Sequence, residues 1–339
     1  MRSWIGRYGV GLALLLLTAI AAVTVPGFFS RENLTTVLLH VSINAILALG
    51  MTFVIVTAGI DLSIGSVVAL AGVLAAATLT SGPLLQAVGV GGAVAAAIVV
   101  GLGTGVGVGA ANGAVTAWFG VAPFMVTLAA MTIARGAARL FTGGVPIGFP
   151  ATDDPQFAAK VAALDALHQL GGGRIAVPGL PRGFPVPGLV MLLLAVLAAF
   201  VLTRTRFGRY VYAVGGNEEA ARLAGVPIRA VKLAVYAIAG ACAGLAGILL
   251  LGQLRSGGPD AGLLYELNAI AAAVIGGASL FGGIGTAWGA LVGALMIGVL
   301  NNALDLLGVQ SFWQEIVKGS IILLAVLFDV WTKRGAQRA

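Results

Sequence analysis

Apolar residues run along this chain in long, nearly uncharged stretches instead of alternating with polar ones. About 17–25 consecutive apolar residues are enough for an α-helix to cross a lipid bilayer. The sequence predicts ten such runs, at 9–25, 34–57, 62–80, 87–109, 120–142, 187–203, 230–252, 266–281, 286–307 and 313–331. The eighth run is short and rich in glycine. We therefore predict an all-α integral membrane protein of about ten transmembrane helices, with broken or short helices near spans 2–3 and 8.

Composition supports a lipid environment. Of the 339 residues, 59% are hydrophobic and only 9% are charged, and the mean hydropathy is +1.05. The 51 glycines suit membrane helices, in which small residues allow close backbone approach. The single cysteine, Cys242, excludes an internal disulfide.

The positions of the basic residues predict the sidedness of the chain. With the N-terminus in the cytoplasm, ten crossings place on the inside two basic residues at the start, six within 204–232 and three in the tail. These are eleven of the 19 Lys and Arg residues, which follows the positive-inside rule. Both termini are then cytoplasmic. The start of the chain could imitate a signal peptide, but the many spans that follow favour a membrane anchor.

An internal repeat divides the membrane region. A shift of 188 positions places Gly101 on Gly289, Gly105 on Gly293 and Phe124 on Phe312. The two copies would have inverted topology, as in many transporters, although generic packing of small residues also explains glycine matches. The predicted organisation is an anchor at 1–33, a first repeat at 34–142, a periplasmic loop at 143–186, a helix at 187–203, a cytoplasmic loop at 204–229, a second repeat at 230–331 and a cytoplasmic tail at 332–339.

The charged stretch 204–232 contains its own helix signals. The Asn217 side chain can cap a helix, and Glu218 and Glu219 lie where the helix dipole favours negative charge. Gly225 and Pro227 mark its end. A helix of about two turns is not stable alone in water, so this helix needs something to pack against.

Polar residues within or between the apolar runs are candidates for lining a transport pathway. Asp61, in the segment GIDLSIGS, is the one acidic residue between Glu32 and Asp153, and ionisable residues in such positions are often functional. Asp61 and Ser63 could instead cap the third span, with Gly59 forming the turn, and the two interpretations are compatible. The full set of candidates is Asn44, Asp61, Ser63, Asn112, Asn301 and Asp305. Hydrogen bonding between helices explains these residues equally well.

Two arginines, Arg135 and Arg139, lie one helical turn apart near the outer end of the fifth span. They either extend to the lipid headgroups or contact a partner outside the membrane.

The residues do not indicate an enzyme of any class. His, Cys and carboxylates form no cluster with metal-ligand spacing, and no glycine-rich loop is followed by Lys-Ser or Lys-Thr. If ATP drives transport, a partner must therefore supply the ATPase.

Three blocks together resemble the membrane permease subunits of ribose-type ABC importers for monosaccharides. They are GIDLSIGS, GGNEEAARLAGVPIRAVK and YELNAIAAAVIGGASLFGGIGT. The resemblance extends over roughly 34–331 and is weak in the outer loop 143–186. It implies a bacterial inner-membrane location, a cytoplasmic ABC ATPase, a periplasmic sugar-binding protein, a second permease subunit and a monosaccharide substrate. It implies no cofactor in this chain, since ATP and Mg belong to the ATPase, and no nucleic acid.

The resemblance also implies that the short helix is the coupling helix, which lies in a cleft of the ATPase. Glu218, Glu219 and Arg222 would face polar groups there, and Ala220, Leu223 and Ala224 would form the apolar face. The coupling residues on this sequence are Gly216, Asn217, Glu218, Glu219, Ala220, Ala221, Arg222, Leu223, Ala224, Gly225 and Pro227.

The sequence therefore predicts a non-enzymatic permease that imports a ribose-like sugar by alternating access. Related ABC permeases could carry a nucleoside, a signalling furanose or a branched-chain amino acid. An ion-coupled secondary transporter would also have inverted repeats and polar spans, but it would not need the helix at 217–225. A scaffold without transport activity predicts that the polar residues are dispensable.

Overall fold

The computed structural model describes residues 2–148, 150–177, 180–310, 312–321, 323, 324 and 327. Twelve named helices and one hairpin occur in chain order: α1 (Arg2–Thr24), α2 (Arg31–Val56), α3 (Ile64–Leu79), α4 (Gly82–Phe119), α5 (Pro123–Thr142), α6 (Phe157–Gly171), β1 (Arg174–Val177), β2 (Leu180–Pro185), α7 (Val186–Arg204), α8 (Arg206–Gly216), α9 (Glu218–Leu223), α10 (Ile228–Leu254), α11 (Tyr265–Ile275) and α12 (Ala287–Leu306). Most of 312–321 is also helical. The predicted tail at 332–339 lies outside the described residues.

Among the described residues, six helices are long and apolar enough to cross a membrane, namely α2, α4, α5, α7, α10 and α12. Each coincides with a predicted run. Three further predicted runs correspond to shorter apolar helices, at Val10–Thr24, in α3 and in α11. The end of the tenth run, 313–331, lies mostly outside the described residues, which include 313–321. The prediction of a multi-pass helical membrane protein is confirmed, with six spans supported by length and composition.

The centre of the bundle is formed by α2 and α10, which pack against each other. Seventeen consecutive or near-consecutive positions of α2 are buried, which explains why its sequence is apolar on every side. Glycine determines how closely α4 approaches α10, because a Cβ at Gly105 would overlap the carbonyl oxygen of Gly240. Small residues at such contacts are the usual means of packing membrane helices.

The segment 143–186 is more ordered than its description as a loop predicts, and it corrects the all-α prediction. Helix α6 buries Leu164 and Leu167 in a cluster shared with α4 and α10. Strands β1 and β2 then form a small antiparallel hairpin, with Arg174 opposite Pro185. A search for runs of spanning length misses both elements, because neither one is long enough to cross a bilayer.

The predicted irregularities near spans 2–3 and 8 have definite positions. Helix α2 continues to Val56, and the chain turns over 57–63 before α3 begins. Gly59 lies in this turn, as predicted, and the residue with left-handed backbone is its neighbour Ala58, with φ 59°. Helix α11 ends at Ile275, and 276–286 follows as a glycine-rich loop. A further break inside α4, at Gly89 with φ 69°, was not predicted.

Candidate functional site

Helix α9 is short, is capped at its N-terminus and is stabilised by ion pairs of its own charged residues. The Asn217 side chain accepts a hydrogen bond from the Ala220 N–H at 2.9 Å, as predicted. At the other end Gly225 adopts φ +79°, which favours glycine. Glu218 accepts a hydrogen bond from Lys232 at 2.9 Å, and Arg222 pairs with Glu219 at 3.2 Å. Two of the acidic groups predicted to face a partner thus already have partners within the chain.

One face of α9 is exposed. Leu223 is 83% exposed, and Ala220 and Ala224 are exposed beside it. Ala221 is buried on the opposite side and attaches the helix to the bundle. An exposed leucine with two alanines is a small apolar surface of the kind that a partner can cover.

Helix α8 connects α9 to the membrane bundle. Gly215 lies so close to the Val56 carbonyl oxygen and the Gly283 N–H that a Cβ would overlap both. The Tyr212 hydroxyl donates to the Gly285 carbonyl at 2.7 Å, and the Gly283 N–H donates to the Val56 carbonyl at 2.9 Å. Helix α8 therefore contacts both the end of α2 and the glycine-rich loop 276–286.

The end of α2 leads directly into the turn that contains Asp61. The Asp61 carboxylate accepts from the Ser63 N–H at 2.9 Å and from the Ser63 hydroxyl at 2.6 Å. The Asn112 side chain, on α4, donates to that same hydroxyl at 2.9 Å. Asp61 and not Ser63 provides the side-chain acceptor before α3. Three predicted candidates thus form one hydrogen-bonded cluster.

Two more helices hold the same turn at the Ile60 carbonyl. The Thr127 hydroxyl, on α5, lies 3.3 Å from this oxygen and 3.0 Å from the Pro123 carbonyl oxygen, and the Tyr236 hydroxyl, on α10, donates to the Ile60 carbonyl at 3.4 Å. Tyr236 comes so close to Gly59 that a Cβ there would lie 2.6 Å from the phenolic oxygen. Position 59 therefore requires glycine, because any side chain there would overlap the Tyr236 hydroxyl. The turn is a junction of α2, α3, α4, α5 and α10.

The cluster is enclosed in this conformation. Asp61 and Ser63 are each 1% exposed and Asn112 is 3% exposed. Asn112 also lines one end of an apolar groove of about 520 Å³ between α4 and α5. The cluster therefore acts first as a structural clamp, and any role in the pathway requires movement of the helices around it.

The block YELNAIAAAVIGGASLFGGIGT contacts the block GIDLSIGS at Gly65, near the start of α3. A Cβ at Gly65 would overlap the Glu266 carboxylate and lie 2.5 Å from the Gly262 carbonyl oxygen. Glu266 is largely buried at the start of α11. The three blocks that are distant in sequence are therefore contiguous in the fold.

The remaining polar candidates lie apart from this junction. Asn44 and Asn301 are half-buried, and neither Oδ1 atom has a hydrogen-bond partner among the described residues. Asp305 is exposed and accepts from the Gln314 side chain at 2.7 Å. The sequence correctly places Asn301 and Asp305 on one helix, but their environments differ. In the described part of the chain, His, Cys, Asp and Glu form no group suited to a metal ion.

Sequence reasoning missed Glu266, Tyr236 and Gly215. Glu266 carries the same signal that selected Asp61, because it is a carboxylate at the edge of an apolar run. Tyr236 and Gly215 act through contacts with distant segments, which no local pattern reveals.

A multi-pass apolar bundle from which a short capped helix projects defines a membrane transport subunit. The chain belongs to the family described as "Branched-chain amino acid transport system / permease component", whose model matches residues 33–326. It is 42% identical over 328 residues to the ribose import permease protein of Escherichia coli K12, covering 97% of this chain and 95% of that protein.

Two further relatives extend the comparison. The ribose import permease protein of Bacillus subtilis 168 is 42% identical over 325 residues, covering 95% of this chain and 92% of that protein. The xylose transport system permease protein of Escherichia coli K12 is 37% identical over 351 residues, covering 91% and 87%. No solved structure matches the chain. The resemblance to ribose-type permeases is confirmed, and the chain is a transport permease subunit.

Proposed function

We propose that this chain is the permease subunit of an ATP-driven importer that moves a ribose-like monosaccharide across the bacterial inner membrane. The observation that carries the proposal is the match along nearly the whole chain to permeases named for ribose. Relatives named for xylose and D-allose, at 37% and 35% identity, support a neutral sugar substrate. The family description names amino-acid transport, but these relatives are named for sugars.

The proposed topology has about ten spans with both termini in the cytoplasm, as the positive-inside count predicts. An inverted repeat of 34–142 and 230–331 is supported by how the helices pair. Helix α4 packs on α10 as α12 packs on α2, and α3 packs on α10 as α11 packs on α2. The glycine matches serve different neighbours, since Gly105 contacts α10 whereas Gly293 contacts α11.

The proposed partner of α9 is the cytoplasmic ABC ATPase. The loop 204–229 presents Leu223, Ala220 and Ala224 on an exposed face, and internal ion pairs keep that face in one orientation. Burial of the apolar face would provide most of the binding free energy. The charges around it would contribute less because they remain partly solvated.

The proposed mechanism is alternating access driven from α9. Closure of two ATPase subunits on ATP would move α9 with α8 as one body. Because α8 contacts the end of α2 at Val56 and the loop 276–286, that movement would reach the Asp61 turn and the start of α11. Opening of the path toward the outside would follow, and hydrolysis would reset it.

The remaining assembly follows from the same class of importer. A periplasmic binding protein would deliver the sugar, and a second permease subunit, identical or related, would complete the path within the lipid. ATP and Mg would be bound by the ATPase and not by this chain. Asn44, Asp61, Ser63, Asn112, Asn301 and Asp305 remain proposed pathway residues, with the Asp61 cluster as the part that must move.

Uptake of radiolabelled ribose, xylose and allose into proteoliposomes tests this function. The wild-type permease is reconstituted alone, or with its ATPase and binding protein. We expect uptake from the complete assembly with ATP and none from the permease alone. Uptake by the permease alone under an ion gradient would identify a secondary transporter. Competition by a nucleoside or a branched-chain amino acid, but by no sugar, would reject the monosaccharide.

A further inference from the structure

A polar cleft lies between the second half of α5 and the turn that precedes α11. Its volume is about 330 Å³, within the range of roughly 300–1,000 Å³ that small-molecule sites occupy. The polar groups that line it are Thr132, Arg135, Arg139 and Glu266, and Leu263 adds an apolar wall. Thr132, Arg135 and Arg139 are spaced three and four residues apart, so they share one face of α5.

Arg135 is fixed in place and still has donors available. Its Nη1 group donates to the carbonyls of Pro259 at 2.9 Å and Ala261 at 2.8 Å. Among the described residues, its Nε and Nη2 groups have no acceptor. A guanidinium has five N–H donors in a rigid plane. A positioned arginine with unused donors is a pre-organised group for binding ligand oxygens.

Glu266 provides acceptors on the opposite wall. Arg135 is near enough to Glu266 for an electrostatic interaction, yet no ion pair joins them in the described part of the chain. The packing of Gly65 against the Glu266 carboxylate fixes the position of that carboxylate in the wall of the cleft. A donor and an acceptor that face one space without satisfying each other can be bridged by a ligand that carries hydroxyl groups.

The charges favour a neutral ligand. Arg139 pairs with Asp260 at 2.7 Å, so the charges of those two groups cancel. Arg135 and Glu266 contribute one charge of each sign. Two other cavities among the described residues are almost wholly apolar in their lining, with Asn112 in one and Asn268 and Lys318 in the other. Of these three cavities, the cleft beside Arg135 is best suited to a small polyhydroxylated molecule.

We propose that the cleft formed by Thr132, Arg135, Leu263 and Glu266 is a weak binding site for a free neutral monosaccharide. The site rests on the proposed import function and adds where the sugar is held within the permease. Hydroxyl groups on the sugar would accept from Arg135 and donate to Glu266. Thr132 would complete the site, although its hydroxyl now donates to the Ala129 carbonyl at 2.8 Å.

Saturation-transfer difference NMR on the permease in nanodiscs, with millimolar ribose, xylose and allose, tests this site. The variants Thr132→Val and Glu266→Gln keep side-chain size while removing a hydroxyl or a charge. The matched control is Thr203→Val, since Thr203 is also exposed and donates only to a helix carbonyl, that of Ala199. Thermal unfolding of every variant shows that it is folded.

We expect signals on the sugar protons with the wild type and with Thr203→Val. These signals should fall about fivefold or more in both variants, because Thr132→Val loses a hydrogen-bonding hydroxyl and Glu266→Gln replaces a charge-assisted hydrogen bond by a weaker neutral one. No signal from the wild type, or equal signals from all variants, would overturn the site. So would stronger signals from ribose 5-phosphate than from ribose. Weaker capture of the binding protein with unchanged sugar signals would assign the cleft to docking instead.

The binding site and the import function can be rejected independently of each other. ATP-driven sugar uptake by the complete importer, together with equal signals from all variants, would reject this site and keep the import function. Failure of the complete importer to take up any monosaccharide would reject the function itself.

Discussion

Replacement of Leu223 by aspartate tests whether the exposed face of α9 docks on an ATPase. Leu223 is 83% exposed in this chain, so most of its side-chain surface is available for burial by a partner. Full burial of a leucine side chain is worth about 1.5–3 kcal/mol. We therefore assign about 2 kcal/mol of docking free energy to this residue.

Leu223→Asp removes that contribution and also places a carboxylate in the docked interface. Removing water from an unpaired charge costs several kcal/mol even after relaxation. Taking about 4 kcal/mol as the combined loss, the affinity of the ATPase falls about a thousandfold. The fold of the permease should survive, because the side chain has few contacts to lose. Aspartate at the last position of a helix costs about 0.3–1 kcal/mol through the helix dipole.

The assay is titration of the purified ATPase onto nanodisc-embedded permease, with binding followed by biolayer interferometry. The control Leu223→Met keeps an apolar side chain of similar volume, so its affinity should stay within about threefold of wild type. An unchanged affinity for Leu223→Asp would refute the reasoning. Equal loss for the aspartate and methionine variants would show that shape and not burial of apolar surface decides docking.

Three further changes probe separate parts of the account. Glu218→Ala should weaken ATPase binding by less than about fivefold in the same titration, because its ion pairs with Lys232 and Arg222 are partly solvated; a hundredfold loss would contradict this. Ser63→Ala should lower the free energy of unfolding by about 1–3 kcal/mol in detergent, since it leaves two buried polar groups short of a partner; unchanged stability would show that the cluster is not a clamp. Gly105→Ala should lower the thermal unfolding temperature by overlapping Gly240, whereas Gly103→Ala, with open space around its Cβ, should leave it unchanged; equal temperatures would reject close packing of α4 on α10.

Local signals predicted the short helix α9 and its two ends well. The Asn217 cap and the Gly225 terminus depend on residues within one short segment, and the structure has both. Apolar length likewise located α2, α4 and α10, because a membrane span depends on its own composition. These features need no knowledge of distant parts of the chain.

Contacts between distant segments were beyond sequence reasoning. Asp61 was selected as a lone acidic residue, but its connection through Ser63 to Asn112 depends on how α4 packs beside the turn. The contact of Gly215 with Val56 joins segments that are far apart in the sequence. The hairpin β1–β2 was missed because short strands give a weak pattern beside long apolar runs.

The most direct test of the proposed coupling path compares two glycine replacements in the complete importer. Gly215→Ala inserts a methyl group between α8, the end of α2 and the loop 276–286, whereas a methyl group at Gly103, within α4, meets no atom within 4 Å. The measurement is the amount of sugar transported per ATP hydrolysed in proteoliposomes. We predict that Gly215→Ala loses most sugar transport while it still binds the ATPase, and that Gly103→Ala transports sugar as wild type does. Equal transport by the two variants would contradict the path from the coupling helix to the Asp61 turn.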